Sequence, residues 1–240
     1  MHLTGLELAI ALAVVFAGGF VQGSVGFGLN LVAVPAIALL EPAAVPGAMF
    51  LLGTPMSLLM AWHERDHIDW PGVRAMTAGR LPGTLVGLWL LHVLTGDRRL
   101  LFVGLSVIAA TVVTALAPEI PRRGRTQIPA GLATGITGTV AGIDGPPLAL
   151  LYQHAPAWVV RPTLATMFAM GGIVSASVAA TSGDVRGWHL LLSAVLFPGI
   201  LAGNIVARRF RHRIPTAWFR IVVLIVVGTA GVVTTLRGAL

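Results

Sequence analysis

The 240-residue sequence contains no cysteine and no lysine, and charged residues make up only 10 % of it. The absence of cysteine excludes disulfides, thiolate metal sites and cysteine nucleophiles. A soluble domain carries about 25 % charged residues, so this chain cannot cover a globular surface with polar groups. The composition therefore excludes an ordinary soluble enzyme, a nucleic-acid-binding protein and a disordered protein.

Long apolar segments dominate what is present. Hydrophobic residues make up 56 % of the chain, and the mean hydropathy is +0.87. The apolar segments cover about 6–40, 43–62, 71–94, 100–117, 128–152, 162–182, 187–207 and 216–236. Most are close to the ~20 residues with which a helix spans a bilayer, and they are too long and too uniform for the strands of a membrane barrel. The sequence predicts an all-α polytopic membrane protein.

The first and fifth segments are expected to be interrupted. A single helix over 6–40 would be about 52 Å long at ~1.5 Å per residue, well beyond a hydrocarbon core of ~30 Å. Its middle reads Gln22-Gly23-Ser24-Val25-Gly26-Phe27-Gly28. The fifth segment contains Gly142-Ile143-Asp144-Gly145-Pro146-Pro147, in which glycine and proline disfavour a continuous helix.

The two interrupted segments correspond to each other in an internal repeat. Gly19, Gly23, Gly26 and Pro35 match Gly131, Gly135, Gly138 and Pro147 at an interval of 112 residues. Pro82-Gly83 and Gly87 match Pro198-Gly199 and Gly203 at 116, and 112–116 matches 232–236 at 120. We therefore predict one membrane domain built from two homologous halves, 1–120 and 121–240. Each half holds a broken or re-entrant Gly/Pro-rich helical element plus three transmembrane helices.

The distribution of arginine favours inverted halves. If all eight segments span once, the loop arginines divide almost evenly between the two sides. If the interrupted segments return to their own side, eleven arginines lie on one side against Arg98, Arg99, Arg186 and Arg237 on the other. The eleven are Arg65, Arg74, Arg122, Arg123, Arg125, Arg161, Arg208, Arg209, Arg211, Arg213 and Arg220. The positive-inside rule then places both termini outside a multi-pass bacterial inner membrane protein.

Interrupted helices at matching positions of two halves are a pointer to a transporter's binding site. A half-helix that starts inside the membrane directs free backbone N–H groups and its positive dipole end at an anion. The candidate substrate-binding residues at the breaks are Gln22, Gly23, Ser24, Gly26, Phe27, Asn30, Thr137, Gly138, Asp144, Gly145 and Pro146. The alternative is that these glycines only permit close helix packing, which is the favoured interpretation of Gly79-xxx-Gly83-xxx-Gly87.

Two charged residues lie inside apolar segments. Arg80 is near the middle of 71–94, about 14 Å from its start, and its counterpart in the second half is Leu196. A charge at that depth is costly and marks a functional candidate. Arg80 either counters an anionic substrate or forms a structural pair with Asp144. Asp144 either caps the following half-helix or carries a coupling proton.

Signals for catalysis, metals and cofactors are weak. Gly23-Ser24-Val25-Gly26 has its serine in the wrong place for a rhomboid-type motif, and aspartyl proteolysis needs two intramembrane aspartates where this chain offers Asp144. The charged loop from His63 to Asp69 lacks a helical i, i+4 histidine pair. No ATP-binding loop is present. We expect no enzyme activity, no metal and no cofactor.

The motifs resemble those of the sulfite exporter TauE/SafE family. The resemblance rests on Gln22 to Gly28 with Pro35, on His67-Ile68-Asp69-Trp70 followed by Pro82-Gly83 and Gly87, and on Gly142 to Pro147. It implies a duplicated unit with seven or eight membrane helices that moves sulfur-containing organic or inorganic anions, often outward. Asp144 departs from the pattern, which has a small residue or serine there.

The sequence thus predicts an exporter of a small anion such as sulfite, a sulfonate or a related carboxylate, bound between the two broken helices. Its partners would be the anion, the lipid bilayer and a coupling proton, with no nucleic acid. An intramembrane hydrolase and a membrane scaffold without transport are the alternatives, and oligomeric state is left open.

Overall fold

All regular secondary structure in the described residues is helical, which confirms the predicted all-α class. The computed structural model describes residues 4–45, 47–116, 121–142, 144–152, 155–181, 183, 185–210, 228–229, 231–236 and 238–239. Most of the predicted segment 216–236 lies outside these residues, as do Arg211, Arg213, Arg220, Arg237 and Ile143.

Nine helices are long enough to name in the described part of the chain. They are α1 (Gly5–Val25), α2 (Leu29–Leu40), α3 (Gly47–His63), α4 (Trp70–Val93), α5 (Asp97–Leu116), α6 (Gly124–Ala141), α7 (Gly145–Tyr152), α8 (Ala157–Thr181) and α9 (Gly187–Phe210). Short 3-10 turns occur at Pro42–Ala44 and Arg65–His67. By length and apolarity alone, α1, α8 and α9 could each cross a membrane, over Gly5–Ser24, Trp158–Thr181 and Gly187–Arg209.

The first apolar segment forms two helices with a glycine-rich connection. Thr4 and Glu7 cap the start of α1 reciprocally. The helix ends where Gly26 adopts φ 94°, and α2 begins directly after Gly28 with φ 113°. Both angles lie in the left-handed region that glycine adopts without a steric penalty, so the chain reverses between Val25 and Leu29.

A second connection of this kind joins α6 and α7. Gly142 ends α6 with φ 70°, and α7 starts at Gly145. The two capping glycines, Gly26 and Gly142, are 116 residues apart, whereas the glycine pattern suggested 112. At an interval of 116, Gly19 falls on Gly135 and Gly26 on Gly142, but Gly23 falls on Thr139, so the shift of one helical turn keeps only part of the glycine match.

Helices α4 and α6 pack backbone to backbone through their glycines. A Cβ on Gly79 would meet the carbonyl oxygen of Ile128, and one on Gly83 would meet that of Leu132. A step of four residues along α4 therefore matches a step of four along α6, and the two helices run parallel. Packing is thus the role of the Gly79-Gly83-Gly87 stripe.

Helices α1 and α9 pack in the same way. The Cβ position of Gly199 lies 3.2 Å from the carbonyl oxygen of Leu12, and that of Gly203 falls on the carbonyl oxygen of Phe16. A step of four residues along α9 again matches a step of four residues along α1, so α1 and α9 are parallel.

Polar contacts define the two ends of the bundle. At face A, the end that carries Glu64, Asp69 and Arg161, Arg161 pairs with Glu64 at 2.5 Å and the Tyr152 hydroxyl donates to Asp69 at 2.7 Å. At face B, the end that carries Ala43 and His189, these two residues form a hydrogen bond of 3.0 Å between the His189 Nε2 and the Ala43 carbonyl oxygen.

These contacts fix where each helix pair begins and ends. α1 runs parallel to α9, which begins at face B, and α2 leads into the turn that carries Ala43 at the same face. α6 runs parallel to α4, which begins at Asp69 on face A, and α7 ends at Tyr152 beside Asp69. The consecutive helices α1 and α2 thus begin and end at face B, and the consecutive helices α6 and α7 begin and end at face A.

The bundle exposes large apolar side chains on its outside and buries several polar ones within a mostly apolar interior. Leu85 and Leu191, on α4 and α9, are 69 % and 57 % exposed, whereas Gln22, Arg80 and Thr84 are buried. Both large exposed apolar side chains and buried polar ones are unusual in a soluble protein. An apolar exterior suits the lipid environment that the composition predicts.

Candidate functional site

The glycine-rich connections of the two helix pairs meet at a cavity inside the bundle. Gly28 and Asn30 line it from the first pair, and Gly142, Asp144 and Gly145 line it from the second. The cavity has a volume of about 40 Å³. A single buried water molecule needs roughly 10–15 Å³ on the same measure. The space suits a small polyatomic ligand.

The cavity lies at depth in the bundle. α2 has 12 residues and α7 has 8, so they rise about 18 Å from face B and about 12 Å from face A. Each of these half-helices is shorter than the ~30 Å hydrocarbon core of a bilayer.

Arg80 and Asp144 form an ion pair beside the cavity. The Arg80 Nη2 donates to the Asp144 Oδ2 at 3.0 Å, and the two side chains are 5 % and 13 % exposed. Two glycines make room for them. A Cβ on Gly138 would collide with the Asp144 carboxylate, and one on Gly171 would collide with the Arg80 guanidinium.

The ion pair uses only part of the hydrogen-bonding capacity of its members. The Arg80 Nε and Nη1 and the Asp144 Oδ1 are buried and have no hydrogen-bond partner among the described residues. Buried polar groups in proteins are nearly always paired with protein or water. Two unpartnered guanidinium nitrogens beside the cavity therefore call for water or an oxygen-rich ligand.

Asn30 and Thr54 add neutral polar groups. The Asn30 Nδ2 donates to the Gly142 carbonyl oxygen at 2.5 Å, which ties α2 to the end of α6. The Asn30 Oδ1 and the Thr54 Oγ1 are buried without a partner in the described part of the chain. Both side chains line the cavity, so a ligand there would find a hydroxyl donor.

The two half-helix starts differ in the donors they offer. No side chain caps α2 in the described structure, so its first N–H groups remain available to a ligand. α7 begins Gly145-Pro146-Pro147, and proline has no N–H. In the first turn of α7 the backbone donors are therefore Gly145 and Leu148, fewer than the prediction of two equivalent anion-binding helix ends requires.

Several candidate residues from the sequence lie at the cavity. Gln22, Asn30, Gly138, Asp144 and Gly145 line it. Arg80 is not among the residues that line the cavity, but it pairs with Asp144, which lines it. Phe27 packs over Gly145, 3.2 Å from where a Cβ would stand. Pro146 is in the first turn of α7, and its side chain lies outside the described part.

Other candidates are placed elsewhere. Ser24 donates to the Phe20 carbonyl oxygen at 2.8 Å and Thr137 to that of Ala133 at 3.0 Å, each within its own helix. A hydroxyl in an apolar helix commonly bonds to the carbonyl one turn earlier. Gly23 packs against Asn204 and Ala207, and Gly26 against Arg161; neither glycine lines the cavity.

Two helices that the sequence argument overlooked supply much of the wall. Phe50, Gly53, Thr54 and Ser57 come from α3, and Phe168, Gly171, Gly172 and Ser175 from α8. A signal for them exists in the sequence. Met49-Phe50, Gly53 and Ser57 recur as Met167-Phe168, Gly171 and Ser175 at a constant interval of 118 residues.

The charged loop at face A contains no group of three or more metal-ligating side chains, as far as the described residues extend. His63, Asp66 and His67 are exposed there, while Glu64 and Asp69 bond to Arg161 and Tyr152. The loop is thus part solvated surface and part connection between α3, α4, α7 and α8.

Comparison with known proteins gives one consistent family. The family model of the sulfite exporter TauE/SafE matches residues 10–234. A curated relative, the "Probable sulfite/organosulfonate exporter TauE" of Cupriavidus necator, is 27 % identical over 209 residues, which cover 82 % of each chain. No solved structure matches the chain.

Proposed function

Because the chain belongs to the sulfite exporter TauE/SafE family, we propose that it exports a small, singly charged oxyanion, such as sulfite in its hydrogen sulfite form, a sulfonate or a related carboxylate. Members of this family are membrane transporters and not enzymes. An intramembrane hydrolase, the alternative raised by the sequence, is therefore not supported. The observation that carries the proposal is the buried Arg80, which has unpartnered nitrogens among the described residues and is paired with Asp144 at the wall of the cavity.

The donors around the cavity favour an oxyanion. A guanidinium binds planar or tetrahedral oxyanions through parallel N–H groups, and the Arg80 Nε and Nη1 remain available for this. Thr54 offers a hydroxyl, and the uncapped start of α2 offers backbone N–H groups. Phe50 and Phe168 could contact the apolar part of an organic sulfonate.

The substrate site we propose is centred on Arg80, Asn30 and Asp144, with Gln22, Thr54, Gly138, Gly145 and the backbone at Leu29 around it. Phe27 and Pro146 would shape its wall from the two helix starts. Gly23, Ser24, Gly26 and Thr137 support the helices that carry the site, because their contacts are with neighbouring helices or with their own.

We also propose that residues 1–120 and 121–240 are inverted repeats. The equivalent pairs α1–α9 and α6–α4 are each parallel, and the two broken pairs return to opposite faces. In this topology Arg98, Arg99 and Arg186 are the described loop and helix-end arginines at face B. Those at face A are Arg65, Arg74, Arg122, Arg123, Arg125, Arg161, Arg208 and Arg209. The positive-inside rule then makes face A cytoplasmic in an inner membrane.

The energy source would be a gradient. The sequence has no ATP-binding loop, so export would follow the outward concentration gradient of the anion, together with that of any proton it carries. Asp144 is the acidic group at the site and is the candidate carrier of a coupling proton.

The test is a flux screen in proteoliposomes with sulfite, methanesulfonate, 2-hydroxyethanesulfonate and acetate. The proposal expects at least one of these anions to move without chemical change. It expects Arg80→Leu to abolish that movement, whereas Arg74→Leu, an exposed arginine earlier on α4, should leave it intact. Folded protein that moves none of these anions would favour a scaffold without transport.

A further inference from the structure

The ion pair at the cavity is present in only one of the two halves. At the interval of 116 residues that relates Gly26 to Gly142, the counterpart of Arg80 is Leu196 and that of Asp144 is Gly28. Leu196 is fully buried in the core. The fold thus accommodates an apolar side chain and a glycine at these places, and the charged pair has a role other than holding the helices together.

The pair is arranged so that a second anion can compete for the cation. One hydrogen bond of 3.0 Å joins the Arg80 Nη2 to the Asp144 Oδ2. The remaining oxygen of Asp144 and two further nitrogens of Arg80 are buried without partners among the described residues. An oxyanion that engages Arg80 would therefore come within a few ångströms of the Asp144 carboxylate.

Two negative charges next to one buried cation are unfavourable. When like charges share a buried site, protonation of one of them relieves the repulsion. Bound hydrogen sulfite or a sulfonate holds its charge on a strongly acidic or delocalised group, so the carboxylate of Asp144 is the better proton acceptor.

On this basis, which rests on the function proposed above, we propose that binding of a singly charged oxyanion at Arg80 is linked to uptake of one proton by Asp144. A proton from solvent forms an O–H bond with the carboxylate, Asp144 becomes neutral, and the guanidinium is left to the incoming anion. Release of the anion returns the proton to solvent and restores the ion pair.

The surroundings offer no other group for this proton. Arg80 on α4 is the charged side chain in contact with Asp144 within the described structure. The other elements around the cavity face it with Asn30 on α2, Thr54 and Ser57 on α3, and Ser175 on α8. None of these side chains titrates between about pH 5 and pH 9.

If one singly charged anion and one proton bind and cross the membrane together, their charges cancel and no net charge is moved. Transport of the anion would then be insensitive to membrane potential, and its direction would follow the product of anion and proton concentrations on each side.

The experiment is calorimetric titration of the purified protein in detergent with methanesulfonate and with 2-hydroxyethanesulfonate, which stay ionised at every pH used. Titrations in two buffers of different ionisation enthalpy give the number of protons taken up per anion. We expect about one proton near pH 7, and an affinity that falls up to tenfold per pH unit as the pH rises.

Asp144→Asn, which mimics the protonated carboxyl, should take up no proton, lose the pH dependence and bind more tightly than the unmodified protein at high pH. Asp144→Ser provides a second neutral variant in case the first does not fold. Asp66→Asn, at an exposed position, is the matched control and should behave like the unmodified protein.

Binding by the unmodified protein without proton uptake would overturn this inference and leave the proposed function standing. An Asp144→Asn variant that retains the full proton count would overturn it as well. If neither sulfonate binds to the folded protein, the proposed function itself fails.

Discussion

Substitution of Gly171 by alanine displaces the Arg80 guanidinium without changing any charge. A Cβ at Gly171 would overlap the Nη2, the Cζ and the Nε of Arg80. These atoms form the far end of a flexible side chain, so the guanidinium would shift by roughly 1–2 Å to restore ordinary contact distances. The backbone of α8 has no reason to move.

The expected loss of anion affinity follows from that shift. A hydrogen bond to a charged group is worth about 1.5–3 kcal/mol, so loss of one such bond to the anion weakens binding about 10- to 150-fold at ~1.4 kcal/mol per factor of ten. Alanine is about 1 kcal/mol better than glycine in a helix interior, which offsets strain in the fold. The variant should therefore remain folded.

The assay is the dissociation constant for a sulfonate, measured with folded protein. Gly172→Ala, the neighbouring change, would displace the Thr54 hydroxyl and should cost about 2- to 10-fold, because a neutral hydrogen bond is worth about 0.5–1.5 kcal/mol. Gly187→Ala meets nothing within 4 Å and should have no effect. A Gly171→Ala protein with unchanged affinity would refute the assignment of Arg80 to the site.

Two further predictions concern topology and packing. Single cysteines at Gly124 and at His212, which lies outside the described residues, introduced into the cysteine-free chain, should both react with a membrane-impermeant reagent from the cytoplasm, and one at Asp97 from outside; labelling of Gly124 and His212 from opposite sides would contradict inverted halves. Gly79→Ala should destabilise the protein by about 1–3 kcal/mol, seen as a lower unfolding temperature, because its Cβ would meet the Ile128 carbonyl oxygen. Gly187→Ala should leave that temperature unchanged, and an equal effect of both changes would argue against backbone contact between α4 and α6.

Sequence reasoning identified the charged residues at the site because charge is conspicuous in an apolar chain. Arg80 and Asp144 stand out because a charged side chain inside a membrane is energetically costly. The sequence leaves two alternatives for Arg80, a counter-charge for an anionic substrate or a pair with Asp144. Of the two, the ion pair is observed, at 3.0 Å. Whether Arg80 also contacts substrate stays a prediction.

The walls from α3 and α8 were missed for a different reason. Interrupted helices point to a binding site, whereas uninterrupted apolar segments such as α3 and α8 do not. The residue pattern of 49–57 recurs in 167–175, but the pattern alone does not assign these residues to a site. Small residues on α3 and α8 leave space for other side chains, as Gly171 does for Arg80. Such space is visible only once the helices are placed.

The binding role of the hydroxyl residues near the breaks stays a prediction. Ser24 and Thr137 can satisfy their hydroxyls within their own helices, and this local bond forms whatever the tertiary structure. Asn30 has no such local option at the first turn of α2, and its amide instead reaches across to Gly142.

The central claim is that a small anion binds between the two helix breaks, against Arg80. The most direct measurement is an experimental structure of the protein with 2-bromoethanesulfonate, in which the anomalous signal of bromine locates the ligand. The account predicts a bromine peak in the cavity lined by Asn30, Thr54 and Asp144, with the sulfonate oxygens within hydrogen-bond distance of Arg80. A ligand bound with comparable occupancy at another place, with the Arg80–Asp144 pair unchanged and the cavity empty, would contradict it.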